Sequence, residues 1–276
     1  MSFADALSSG GFPVSLEITP PKASTPRILE RRARLLGEAA TAVNVIQRPG
    51  RQSSLDASLE LLRVGMEPVW HLVTRGRRRP ELERDLEAAR TGGIRNVLCI
   101  RGDHASTSPD ELTVRDACEA ACGLPGALIG ATLNQYAPDR KAVIRNLVPK
   151  LRSGARYVQT QPVFELEGLR PIAEAALERS PETRIVAMAM PLTSLEAAER
   201  IEQRIGIELP ASLRHQIEAG GAAGAWEAFD TVIARLAESP LIAGVAIMTF
   251  EMDPSPETGA RIVTSLRAAR QPTASP

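Results

Sequence analysis

Short apolar runs alternate with longer amphipathic stretches along the whole chain. The short runs cover 14–18, 42–46, 68–73, 96–101, 127–132, 156–161, 184–190 and 241–248. Each is largely apolar and bounded by turn or charged residues, which suits strands buried on both faces. Between them apolar positions recur at helical spacing over 26–37, 54–64, 79–91, 109–122, 139–153, 166–180, 194–204 with 210–219, and 226–238, and a last helix is predicted over 256–269. Gly65, Gly92-Gly93 and Gly154 follow three of these segments where a left-handed cap belongs. Pro80 opens the third with Glu81 and Glu83 in its first turn, which suits the helix dipole.

Strand and helix alternating so regularly predict a parallel sheet. Eight units within 276 residues favour one α/β domain, a single (β/α)8 barrel over residues 1–270 with a flexible tail at 271–276; an open doubly wound sheet is the alternative. Composition alters this picture little. The 33 basic and 33 acidic residues cancel, so no global field favours nucleic acid or an anionic membrane. No apolar run approaches the ~18 residues of a membrane span, and no signal peptide is evident at the start. Cys99, Cys118 and Cys122 show no metal-ligand spacing, so no metal site is expected. These features together read as a cytoplasmic protein.

In a barrel the carboxyl ends of the strands share one mouth. Those ends carry Glu17, Asn44, Gln47, His71, Thr74, Arg101, Asp103, Asn134, Gln159, Gln161, Thr249 and Glu251. Buried polar groups need partners, and a polar ligand in the mouth would supply them. Glu17, inside the apolar run Val-Ser-Leu-Glu-Ile, reads either as a desolvated general acid or as a salt-bridged structural glutamate. Arg101, Gly102 and Asp103 end the most apolar strand with opposite charges around a glycine, which orients a ligand or braces a loop. Gln161 is a neutral amide suited to reading the donors and acceptors of a ring. His71, alone on an apolar strand, fits a hydrogen-bonded core residue better than a catalyst. Arg75-Gly-Arg-Arg-Arg79 is the one dense run of positive charge; with aromatics at 3% it reads as a solvated loop rather than a nucleic-acid site. No serine-histidine-aspartate arrangement, HExxH motif or glycine-rich phosphate loop is evident.

The segments Ser15-Leu-Glu-Ile-Thr-Pro-Pro-Lys22, His71-Leu-Val-Thr74, Gly93-Ile-Arg-Asn-Val-Leu-Cys-Ile-Arg-Gly-Asp103 and Gly154-Ala-Arg-Tyr-Val-Gln-Thr-Gln-Pro-Val-Phe164 carry a resemblance. In order and spacing they resemble the methylenetetrahydrofolate reductase family. The resemblance implies a (β/α)8 barrel that passes a hydride from NAD(P)H through FAD to 5,10-methylenetetrahydrofolate. It implies Glu17 as the general acid, Asp103 as an aspartate near flavin and pterin, and Gln161 as the folate-reading amide. His71, Arg101, Gly102, Asp103, Asn146 and Lys150 match cofactor-contacting positions. Folate and nicotinamide are then the small-molecule partners, and barrels of this family commonly form homo-oligomers.

The chain also departs from the family pattern. Ile46-Gln-Arg-Pro49 stands where the family has Thr-Tyr-Gly, Leu133 replaces a flavin-packing tyrosine, Leu195 a stacking aromatic, and Met252 a basic residue after the eighth strand. These changes crowd the flavin and stacking faces and spare the acid, aspartate and amide. Two rival readings follow: a reductase that takes hydride directly from nicotinamide without flavin, and a folate-binding or methyl-transfer accessory protein without redox chemistry.

Overall fold

The computed structural model describes residues 1–102 and 111–270. Its strands are β1 (Val14–Ile18), β2 (Ala42–Val45), β3 (Pro68–Val73), β4 (Asn96–Ile100), β5 (Leu128–Leu133), β6 (Tyr157–Pro162), β7 (Arg184–Ala189) and β8 (Gly244–Ile247). They pair in parallel, in sequence order, and β8 closes on β1 to complete a barrel. Each lies within about three residues of its predicted position. The closed barrel is thus the α/β architecture predicted by alternation, and the open sheet is excluded.

Helices α1 (Phe3–Ser9), α2 (Pro26–Ala33), α3 (Ser54–Arg63), α4 (Arg79–Gly92), α5 (Val114–Ala121), α6 (Arg140–Arg152), α7 (Leu166–Arg179), α8 (Leu195–Ile205), α9 (Ala211–Glu238) and α10 (Pro256–Arg270) complete the described chain. Three predicted boundaries move. The helix expected over 26–37 stops at Ala33, and a single 3-10 turn, Gly37–Ala39, follows it. The two helices expected over 210–219 and 226–238 run on as α9, broken at Gly221, whose φ of 56° and ψ of −137° are not helical. The helix expected from 109 is seen from Val114; residues 109 and 110, like the expected tail 271–276, lie outside the described residues.

Helix α1 was not legible from periodicity, because seven residues make only two turns. Its ends are nevertheless marked: Ser2 and Asp5 form a capping box, and Gly10 closes it at φ 76°. It seals the amino end of the barrel. Phe3 and Leu7 are buried with Ala42, Val69, Leu98 and Tyr157, Phe3 meets Tyr157 edge-on at 5.8 Å, and the Phe3 amide donates to Glu67 Oε1 at 2.9 Å. A second layer packs between strands and helices, with Leu16, Val45, Trp70, Val97, Cys99 and Leu133 among its members. A third cluster joins α8 and α9 to Phe164, Met190 and Leu192. Among the described residues no helix is long and apolar enough to cross a membrane.

Inside the barrel, large and small residues alternate so that the layers interdigitate. Gly130 makes room for the Tyr157 ring; a methyl group there would lie 2.2 Å from it. Gly130→Ala is therefore expected to cost about 1–3 kcal/mol through overpacking, read as a lower midpoint in thermal or urea unfolding, with Tyr157→Phe leaving that penalty in place.

Candidate active site

Glu17 and Gln161 are each the penultimate residue of their strands, β1 and β6, so the closed barrel brings both to its carboxyl-end mouth. Alternation along a strand sends every second side chain inward. In the interior Asn44 Nδ2 donates to Ser15 Oγ at 2.8 Å, and Asn44 Oδ1 lies 3.4 Å from His71 Nε2. With the Asn44 amide donating to Ser15, its oxygen accepts, which makes Nε2 of His71 the protonated nitrogen. Burial without a charged partner pushes the His71 pKa down to about 3. The ring is neutral, and its Nε2 is engaged with Asn44 inside the barrel.

Glu17 stands opposite Asn44 in the β1–β2 register. It is half-buried and lines a small cleft with about 50 Å³ of water-accessible space, also lined by Thr19, Arg32, Arg48, Arg204, Glu251 and Met252. Loss of water raises its pKa from 4.5 to about 7, opposed by the positive charge of Arg204. It is therefore half protonated at neutral pH. A carboxyl whose pKa lies near neutral pH is suited to giving and recovering a proton there.

Gln161 sits where the β6–β7 register breaks, between Gln159 and Pro162. Such a bulge re-aims side chains at a strand end. Its backbone is clamped: the Gln161 amide donates to Gln135 Oε1 at 3.0 Å, and Gln135 Nε2 donates back to the Gln161 carbonyl at 2.9 Å. The half-buried side-chain amide of Gln161 is left without a hydrogen bond among the described residues.

Other strand-end polar groups serve the protein itself. Gln47 Oε1 accepts from the Ser54 amide at the start of α3, Thr74 Oγ1 points to the Ile100 carbonyl, Asn134 Oδ1 accepts from the Tyr136 amide, and Thr249 Oγ1 donates to the Glu251 carbonyl. A ligand is not needed to explain these four. Asp103 lies outside the described residues. Conversely, strand ends gave no hint of Arg204 or Arg32, because they reach the cleft from α8 and α2.

The positions matched to a flavin give a divided result. Arg101 and Asn146 are exposed, and Gly102, at φ 91°, presents a carbonyl that accepts from Arg75 at 3.2 Å. The Lys150 ammonium is committed to the Thr132 carbonyl at 3.0 Å, and burial lowers its pKa. His71 is engaged with Asn44, and Leu133 is buried in the strand–helix layer rather than offered to a ring. Among the described residues, then, His71 and Lys150 are engaged within the protein, while Arg101 and Asn146 remain open to solvent.

A family profile described as methylenetetrahydrofolate reductase matches residues 2–124 and 131–253. A Caenorhabditis elegans protein, "Probable methylenetetrahydrofolate reductase (NADPH)", is 26% identical over 229 residues, covering 74% of this chain and 34% of the relative. The chain thus spans about a third of that curated relative's length. Among solved structures, a Clostridium thermocellum protein described as binding two copies of 5-methyl-5,6,7,8-tetrahydrofolic acid superposes with a TM-score of 0.71 at 14% identity, covering 94% of this chain and 95% of that one. The coenzyme F420-dependent tetrahydromethanopterin reductase of Methanopyrus kandleri gives a TM-score of 0.60 at 10% identity, covering 94% and 99%. At these identities both show a shared fold.

The raised Glu17 pKa has a consequence for stability. The folded state holds this proton up to about pH 7, whereas the unfolded chain releases it near 4.5, so the folded state gives up stability as pH climbs through that window. Glu17→Gln removes the cost of an ionised buried carboxyl. We expect its unfolding midpoint to exceed the parent's at pH 8 and to match it at pH 4.5; equal differences at both pH values would contradict the shift.

Proposed function

Because the chain belongs to the methylenetetrahydrofolate reductase family, we propose that it reduces 5,10-methylenetetrahydrofolate to 5-methyltetrahydrofolate with a hydride from NAD(P)H, Glu17 supplying the proton. The observation that carries this reading is a carboxyl at the barrel mouth whose desolvation raises its pKa to about 7. Folate as ligand is further supported by the fold shared with a protein described as binding 5-methyltetrahydrofolate.

The Glu17 carboxyl protonates N10 of the substrate, and the bond between N10 and the methylene carbon breaks. The electron pair on N5 moves in to form a 5-iminium ion. A hydride adds to its carbon to give the methyl group, and NAD(P)+ is the oxidised product. Glu17 regains its proton from water through the open side of the cleft. A pKa near the working pH suits a group that must both give and recover a proton. Gln161, its backbone fixed by Gln135, offers a free amide to the pterin edge. Asp103 is assigned beside the pterin by its match to the family aspartate.

FAD relay of the hydride follows from the resemblance. Direct transfer from nicotinamide is the second reading, favoured by the committed Lys150 ammonium and the buried Leu133. The proton step at Glu17 is the same in both. An absorbance spectrum of the purified protein separates them: flavin bands support the relay, and a colourless protein that oxidises NAD(P)H only with methylenetetrahydrofolate supports direct transfer. Folate binding without turnover would leave the accessory-protein reading.

Glu17→Gln should lower kcat by at least about a hundredfold, the scale of general acid catalysis, with binding of 5-methyltetrahydrofolate retained within a few fold. In the parent protein kcat should decline as pH rises past about 7. Turnover in the variant near the parent rate would remove Glu17 from the mechanism.

A further inference from the structure

The densest run of positive charge is neutralised by the protein's own acids. Arg75 faces Glu111 at 3.8 Å, Arg77 bonds Asp85 at 2.5 Å, Arg78 faces Glu81 at 3.8 Å, and Arg79 faces Asp116 at 3.8 Å. This segment, read from the sequence as a solvated loop, has little charge to spare.

The cations around the Glu17 cleft differ. Arg48 and Arg51 lie on the segment between β2 and α3, where the family's Thr-Tyr-Gly is missing. Both aim their guanidinium groups at one atom, the Met252 sulfur, with Arg48 Nη1 at 3.5 Å and Arg51 Nη2 at 3.3 Å. A thioether is a weak acceptor and cancels no charge. Neither arginine has a carboxylate partner among the described residues. Their nitrogens, both within 3.5 Å of the same sulfur, are close enough for one small anion to bridge. Arg204 lines the same cleft and acts on Glu17. Arg32 also lines it but is paired with Asp253 at 3.6 Å and donates to the Thr19 carbonyl at 2.7 Å, so the uncompensated charge is that of Arg48 and Arg51. Two like charges gathered around a neutral sulfur repel each other, and a bound anion relieves that repulsion.

We propose that Arg48 and Arg51 form a paired carboxylate site for the glutamate tail of the folate whose reactive end lies at Glu17. This rests on the folate reading above and adds the specificity determinant at the outer end of its cleft. Met252 serves as the post that holds the two guanidinium groups side by side. The shared chemistry is an anion, which the phosphates of NAD(P)H also offer. Arg48 and Met252 line the same cleft as Glu17, and Arg51 is tied to it through the Met252 sulfur, which assigns the pair to the ligand that Glu17 protonates.

The test is equilibrium binding to the full chain of 5-methyltetrahydrofolate as mono- and triglutamate, of tail-less 6-methyltetrahydropterin, and of NADPH. The parent should prefer the triglutamate. Arg48→Ala with Arg51→Ala should weaken both folates by about tenfold or more, the scale of lost charge-assisted hydrogen bonds. The double variant should also erase the preference between them, leaving 6-methyltetrahydropterin and NADPH within about twofold. Arg48→Lys with Arg51→Lys should restore most of the affinity, and circular dichroism melting checks that each variant folds. Equal losses for tailed and tail-less pterins, unchanged folate affinity, or a loss confined to NADPH would each overturn the assignment. A parent that binds folate without regard to its tail contradicts this inference alone; one that binds no folate contradicts the folate reading with it.

Discussion

The account depends on one constraint: a carboxyl group, Glu17, is largely desolvated at the end of a barrel strand. In solvent, with a pKa of 4.5, about one such group in three hundred would carry a proton at pH 7. Enclosure in the cleft makes that about one in two. Arg204 works against the shift, and its distance from strand β1 in sequence lets the fold set that opposition independently. A closer cation would hold the proton off, and none would leave the ionised form still costlier. Proton supply is thus tuned by burial against one positive charge.

Barrel closure makes this enclosure possible. Strand β1 pairs with both β2 and β8; Glu17 lies opposite Asn44 on one side and one residue past the last β8 pair, Leu16 with Ile247, on the other. Beneath it the Ser15–Asn44–His71 chain satisfies the polar atoms, and the amino end is sealed by α1. Above it, the cluster of α8 and α9 with Phe164 and Met190 carries Arg204 over the mouth. Gln161 owes its position to a register break in β6 and to the Gln135 clamp. The proposed acid and the proposed pterin reader are therefore held by elements far apart in the chain and joined only by closure.

Much of this was legible in the sequence, for physical reasons. Strands buried on both faces leave continuous apolar runs, so all eight were visible, and a carboxylate inside Val-Ser-Leu-Glu-Ile stood out against its neighbours. Helix α1 escaped because its two turns are too short for periodicity, although Ser2, Asp5 and Gly10 marked its ends. The roles of Gln47, Thr74, Asn134 and Thr249 were misjudged because turn-bracing and ligand-binding groups look alike in one dimension. The Arg75–Arg79 run, read from the sequence as a solvated loop, is spent on Glu111, Asp85, Glu81 and Asp116, partners that spacing alone does not announce. Arg48 stood out only within a departure from the family pattern, Arg51 not at all, and their convergence on Met252 requires the fold.

The most direct test is a carboxyl titration by NMR with carbon-13-labelled glutamate, assigned by difference against Glu17→Gln. A resonance lost in that variant and titrating near pH 7 is the predicted result. If the Glu17 signal moves with the solvent-exposed glutamates near 4.5, the carboxyl is not desolvated and the proton-donor account fails.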